Sequence, residues 1–193
     1  MALAAPSAAA AADSTVGLTG TTLTFQSAPG GNNDVSVARF VPKGELWIAD
    51  RGLGAKVLPG TGCSDLAPAA PAGVGAKCPA VGISRLVVLV GDGTDFVSLQ
   101  DNRPPNNLNV AIPSRIFGAA GNDDLEGGDG PDTITGGLGV NKAKGMAGND
   151  RLQMRNGVRD TLIDCGTGIL DVALVDKIDP RPIACETVLR PRS

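Results

Sequence analysis

The chain has 193 residues, 42% of them hydrophobic, and a net charge of -3 at pH 7, which excludes intrinsic disorder because that needs low hydrophobicity and a strong net charge. It has no histidine, which removes Ser-His-Asp and Cys-His machinery, histidine general bases and ordinary catalytic zinc sites. The 17 basic residues form no cluster beyond the scatter of Arg181, Arg190 and Arg192, so no nucleic-acid footprint is expected, and no apolar run approaches the roughly 20 residues that span a bilayer.

Aromatics are 3% and tyrosine is absent, while glycine and proline number 27 and 14. Such a core must be built from thin Val, Leu, Ile and Ala layers separated by frequent turns, which suits stacked β structure better than a helical bundle. The N-terminal MALAAPSAAAAADS has the small-residue pattern of a signal-peptide cleavage region, and residues 1–14 are expected to be a signal remnant or disordered leader. Strand-like bursts follow: LTF at 23–25, VSVARF at 35–40, ELWIAD at 45–50, RLVVLVGDGTDFVSL at 85–99 and NVAIPSRIF before Gly118. They recur every ten to fifteen residues with turn residues between, and nothing after the leader has helical periodicity. An irregular β-solenoid region is expected over 15–117 and a regular array with a cysteine-bearing cap over 118–193, within one continuous solenoid. Trp47, the only tryptophan, reads as a core or cap residue.

Four cysteines in an otherwise signal-like chain suit disulfides in an oxidising, extracellular compartment. Three pairings are possible. The local one, Cys63–Cys78 with Cys165–Cys185, is favoured because a stacked fold keeps sequence neighbours together. No CxxC pair is present to suggest a cysteine metal site.

The informative stretch is GGDGPDTIT at 127–135, flanked in the same nine-residue frame by GAAGNDDLE, GGLGVNKAK and GMAGNDRLQ. Position one is glycine throughout (Gly118, Gly127, Gly136, Gly145), as is position four (Gly121, Gly130, Gly139, Gly148). Position six reads Asp123, Asp132, Asn141, Asp150, and position eight reads Leu125, Ile134, Ala143, Leu152. Each unit is therefore a turn followed by a short strand with one inward side chain at position eight. Glycine takes the tight turn and lets backbone carbonyls converge, and carbonyls with a carboxylate make an all-oxygen site for a hard cation, above all calcium.

Two units make one coil, so turns eighteen residues apart face each other across the strand spacing of about 4.8 Å. Asp132 and Asp150 then share one side, flanked by Gly127, Gly130, Gly145 and Gly148, and form the strongest candidate site. Asp123 and Asn141 share the other, with one carboxylate fewer and weaker affinity. In the fifth unit, MRNGVRDTLI, an insertion moves the aspartate to Asp160, the last candidate. Asp92 and Asp95 have no partner eighteen residues away and read as turn residues. No EF-hand order is present, and GLGVNKAKG lacks the ending of a phosphate loop.

GGDGPDTIT matches the G-G-x-G-x-D-x-U-x repeat of RTX proteins, and the chain resembles the hemolysin-type calcium-binding family. The motif is complete in one unit and altered in three others, through Ala119, Met146, Asn141 and Ala143. The resemblance implies an all-β, right-handed parallel β-roll or β-solenoid, with calcium held between turns by position-six aspartates and loop carbonyls. The segments GCSDLAPAAPAGVGAKCP (62–79) and DCGTGILDVALVDKIDPRPIACE (164–186) resemble small exported bacterial members of that family.

The expected function is a secreted, non-enzymatic calcium-binding solenoid with a structural or adhesive role. Its partners would be calcium ions and either further copies of itself or a cell-surface polymer, without membrane insertion. A filament or surface-layer subunit is the first alternative. A calcium-assisted polysaccharide lyase or epimerase is the second, although sparse aromatics and the lack of histidine and tyrosine argue against it.

Overall fold

A computed structural model describes residues 13–40, 43–52, 55–66, 75–100 and 110–191. The leader expected over 1–14 lies outside these residues up to position 12, and Ser14 already opens the first strand. In chain order the strands are β1 (Ser14–Thr19), β2 (Thr22–Gln26), β3 (Asp34–Phe40), β4 (Glu45–Asp50), β5 (Val57–Pro59), β6 (Ser64–Asp65), β7 (Gly75–Pro79), β8 (Arg85–Leu89) and β9 (Phe96–Ser98). They continue with β10 (Ser114–Phe117), β11 (Asp124–Glu126), β12 (Asp132–Thr135), β13 (Lys142–Lys144), β14 (Arg151–Gln153), β15 (Leu162–Asp164), β16 (Val172–Leu174) and β17 (Thr187–Leu189). No helix long and apolar enough to cross a membrane is present among them.

The strands form two open sheets. The first runs β5-β1-β2-β8-β10-β12-β14-β16-β17, and the second runs β6-β7-β4-β3-β9-β11-β13-β15. From β8 to β15 the chain alternates between them, one short strand at a time, and every pairing between these strands is parallel. This is the all-β roll expected from the repeats. Position eight stacks in register on both faces: Ile116, Ile134, Leu152, Ala173 and Val188 in the first sheet, and Val35, Val97, Leu125, Ala143 and Ile163 in the second. Apart from Val188, all are buried. Each fully buried Leu or Ile contributes about 1.5–3 kcal/mol, so the three-residue strands are held by the stack rather than by their own length.

The upstream chain is wound differently. β1 and β2 pair antiparallel with Thr19 opposite Thr22, a two-residue hairpin whose first turn residue, Gly20, has φ 59°. β3 with β4, β4 with β7 and β6 with β7 are antiparallel too. β2 and β3 nevertheless form a first coil, crossing from one sheet to the other and pairing parallel with β8 and β9, and β4 to β7 are inserted before the regular coils resume at β8. Disulfides join Cys63 to Cys78 and Cys165 to Cys185. They clamp opposite ends of the stack, and on the chain-entropy model loops of 15 and 20 residues are each worth about 3 kcal/mol.

Trp47 lies on the outer side of β4, half-buried, with its indole N–H donating to Glu45 Oε2 at 3.0 Å. It is not part of the core.

Candidate metal centre

Positions six and eight are both inward because strand side chains alternate with period two. Position eight reaches the apolar core, and position six lies at the edge of the roll, where loop meets strand. There the position-six side chains form two ladders, in which an oxygen from one coil accepts the backbone N–H of position six in the coil before.

On the first edge, Ser114 N–H donates to Asp132 Oδ1 at 2.9 Å, Asp132 N–H to Asp150 Oδ1 at 2.8 Å, Asp150 N–H to Asp171 Oδ1 at 2.6 Å and Asp171 N–H to Glu186 Oε2 at 2.7 Å. On the second, Asn33 N–H donates to Asp95 Oδ1 at 2.7 Å, Asp95 N–H to Asp123 Oδ1 at 3.0 Å and Asp123 N–H to Asn141 Oδ1 at 3.0 Å. Asn141 N–H then donates to Asp160 Oδ1 at 2.7 Å and Asp160 N–H to Asp179 Oδ1 at 2.9 Å. Each such bond satisfies a buried N–H that would otherwise be an orphan, and each is charge-assisted where the acceptor is an ionised carboxylate, which leaves out the Asn141 rung.

The second oxygen is the unusual one. Asp123, Asp150, Asp160 and Asp171 are at most 2% exposed, yet Oδ2 of each has no donor, and the same holds for Asp95. Asp132 Oδ2 has a single one, the Gly128 N–H at 2.7 Å. Burial pushes the Asp123 and Asp150 carboxyls up to about 7, against the hydrogen bonds from Asp95 and Asp132 that pull them down. Burial likewise takes Asp132 and Asp160 up to about 6 and raises Asp95 and Asp171. A buried carboxylate oxygen without a donor needs a proton or a cation.

The glycines make room around that oxygen. A Cβ on Gly127 would collide with Asp132 Oδ2 and the Gly145 carbonyl oxygen, and one on Gly145 with Asp150 Oδ2 and the Cys165 carbonyl oxygen. Gly118 stands in the same way between Asp123 Oδ2 and the Gly136 carbonyl oxygen. Position four serves close stacking: a Cβ on Gly148 would strike the Gly130 carbonyl, and one on Gly130 the backbone of residues 111 and 112. Position two carries backbone strain where glycine is missing, with Ala119 at φ 66° and Met146 at φ 78°.

Asp132 and Asp150 are thus stacked on one edge, with Gly127, Gly130, Gly145 and Gly148 in their loops, and Asp123, Asn141 and Asp160 follow one another on the opposite edge. Because Asp150 spends Oδ1 on the Asp132 N–H, the Oδ2 atoms of the pair face two consecutive loops instead of one shared point. Among the described residues no three Asp, Glu, Cys or His side chains converge, so a cation here would be held by carbonyls around a single carboxylate oxygen. All-oxygen donors of this type fit calcium.

Several ladder residues escaped the eighteen-residue arithmetic. Asp95 is 28 residues before Asp123, and Asp171 is 21 after Asp150, because loops are inserted between coils. Asp95 is a member of the ladder, not an isolated turn residue, and the GDGTD run around it was the available signal. Asp171 was signalled by D-V-A at 171–173, which repeats the position-six and position-eight spacing. Glu186 stands two residues before Val188 in the same spacing, while Asp179 had no such frame.

No curated protein and no solved structure matches the chain. Residues 117–152 match the RTX calcium-binding nonapeptide repeat in four copies.

Proposed function

We propose that the protein is an exported calcium-stabilised β-roll whose ions sit in the Asp123, Asp132 and Asp150 loops and whose role is structural or adhesive. The observation that carries this reading is the buried Oδ2 of each aspartate, which faces a loop carbonyl of the next coil across a glycine that leaves the space open. In these loops Asp132 and Asp150 supply the charge on the first edge and Asp123 on the second, with Gly136, Gly145 and Cys165 as carbonyl donors. Calcium neutralises the buried carboxylates and stabilises only the folded state, by about 2.7 kcal/mol per site at a hundred times Kd. Two disulfides suit a non-reducing compartment, and extracellular modules are tuned to roughly millimolar calcium. A sheet face of this kind would serve as scaffold for a surface polymer or a second copy.

Isothermal titration of the oxidised, chelator-stripped protein with calcium, beside Asp150→Asn, tests the site. The wild type binds calcium in preference to magnesium, and the variant loses one equivalent. Equal binding by both proteins contradicts the assignment. A self-assembling role draws support from β17, whose three residues are all exposed at the open end of the first sheet, and calcium-dependent light scattering by the full chain checks it.

A further inference from the structure

The third unit has the same loop as its neighbours but a different occupant. Asn156 Nδ2 donates to the carbonyl oxygens of both Gly137 and Gly139, at 2.8 Å each. Asn141 Nδ2 points at the same two oxygens from its own strand, at 3.4 Å each. The orientation of Asn156 is fixed because its Oδ1 accepts the Val158 N–H at 2.8 Å, leaving only the amide nitrogen to face the loop. Below this pair the position-one residue of the following unit is Met154 instead of glycine. It is 1% exposed, and its Cε lies 3.1 Å from where a Cβ on Gly136 would be.

A similar substitution recurs upstream. Asn33, which stands at position six of its ladder, donates through Nδ2 to Gly31 O at 3.1 Å, Val90 O at 3.0 Å and Asp95 Oδ1 at 3.0 Å. Val90 O also accepts the Ser27 hydroxyl. In both places converging acceptors are met by an –NH2 group, which brings two donors and no formal charge.

We propose that Asn156, assisted by Asn141, occupies in the third loop the place that a cation takes in the aspartate loops. The third loop is then closed without metal, and the roll carries its calcium only in the Asp123, Asp132 and Asp150 loops of the array. The inference rests on the calcium reading for what fills those three loops, but the amide clamp stands on its own hydrogen bonds. Its consequence is a division of labour within one fold. The third loop and the coil that Met154 begins stay ordered when calcium is withdrawn, while the aspartate loops loosen.

The test is ¹⁵N NMR of the oxidised full chain, chelator-stripped and then calcium-saturated. The Asn156 side-chain amide and the Gly137 and Gly139 backbone signals are expected to be exchange-protected without calcium and to stay in place when it is added, while signals from residues 118–123, 127–132 and 145–150 shift. Displacement of the Asn156 amide by calcium, or its rapid exchange in stripped protein, overturns the clamp. If no signal moves at all, the calcium reading fails, and protection of the Asn156 amide still decides the clamp. The double variant Asn141→Asp, Asn156→Asp provides the second readout: it replaces donors with carboxylates beside Gly137 O and Gly139 O and is expected to gain one calcium equivalent over wild type. A folded double variant with unchanged stoichiometry contradicts the proposal.

Discussion

The two edges of the roll are built from the same loops and differ in one atom. Along the first, position six is Ser114, Asp132, Asp150 and Asp171, so every coil after β10 presents a carboxylate. Along the second it is Asn33, Asp95, Asp123, Asn141, Asp160 and Asp179, so carboxylates are interrupted by amides. Aspartate and asparagine both offer Oδ1 to the N–H of the coil before, and that rung is made by either, at 2.8 Å to Asp150 and 3.0 Å to Asn141. They differ in the second terminal atom. An aspartate turns an acceptor toward loop carbonyls that are also acceptors, and the loop then needs a cation or a proton. An asparagine turns a donor toward them, and Asn141 does so without leaving an unpartnered buried atom. Ladder formation and ion demand are therefore separable: the first depends on the stacking of coils, the second on oxygen or nitrogen at one position.

Removing a rung from each edge gives the sharpest contrast. Asp150→Ala leaves the buried Asp132 N–H without its 2.8 Å acceptor, at about 1–3 kcal/mol, and also removes a calcium site. Its total cost in saturating calcium is expected to be roughly 4–5 kcal/mol. In stripped protein the loss is smaller, because a buried charge disappears with the rung. Asn141→Ala orphans the Asp123 N–H in the same way, yet its cost is expected to be the same with and without calcium. Urea unfolding of both variants under both conditions makes the comparison, and equal calcium sensitivity would erase the distinction between the edges.

Next in size is Gly127→Ala, whose methyl group would strike Asp132 Oδ2 and the Gly145 carbonyl. It is expected to abolish binding in that loop. Gly157→Ala is the control, since its φ of 81° strains any side chain but nothing lies within reach of a Cβ. That change should cost about 1–2 kcal/mol and leave calcium stoichiometry alone, as titration of the two variants would show.

The pH dependence follows from the raised carboxyls. Burial pushes the Asp123 and Asp150 carboxyls up to about 7 and that of Asp132 up to about 6 in the folded chain, against about 3.9 for an unperturbed aspartate. The folded state therefore holds more protons than the unfolded state between about pH 4 and 7, and stability of the calcium-free protein rises as pH falls through that window. Calcium competes with those protons, so its affinity should drop over the same range. A thermal melt series from pH 8 to pH 5, with and without calcium, is expected to show opposite slopes. The smallest effect belongs to Ala119→Gly, which relieves a φ of 66° on an exposed turn. It should stabilise by at most about 1 kcal/mol, because the freer unfolded chain offsets part of the gain.

Much of the array could be read directly from residues. The nine-residue frame gave the parallel stacking of Ile134 on Leu152 and of Leu125 on Ala143, because glycine at positions one and four leaves few other ways to fold. The frame did not reach past its own insertions. Asp95 and Asp171 were hidden because loop length between coils is set by what the loop packs against, not by the coil's period. The antiparallel pairings among β1 to β7 were equally opaque, since short alternating strands look alike whether the next one runs beside them or across the roll. Asn156 was the hardest to foresee: it lies outside position six, and its role depends on Gly137 and Gly139, nearly twenty residues earlier.

The measurement that bears most directly on the whole scheme is the thermal unfolding of oxidised, chelator-stripped protein, followed by far-UV circular dichroism, in calcium or in magnesium. Three sites at a hundred times Kd amount to about 8 kcal/mol, which for a chain of this size corresponds to a rise in Tm of more than about 10 °C. Such a rise in calcium and not in magnesium is the expected result. Identical melting curves in calcium, magnesium and chelator would mean that the buried aspartates are satisfied by protons and that the roll stands without its ions.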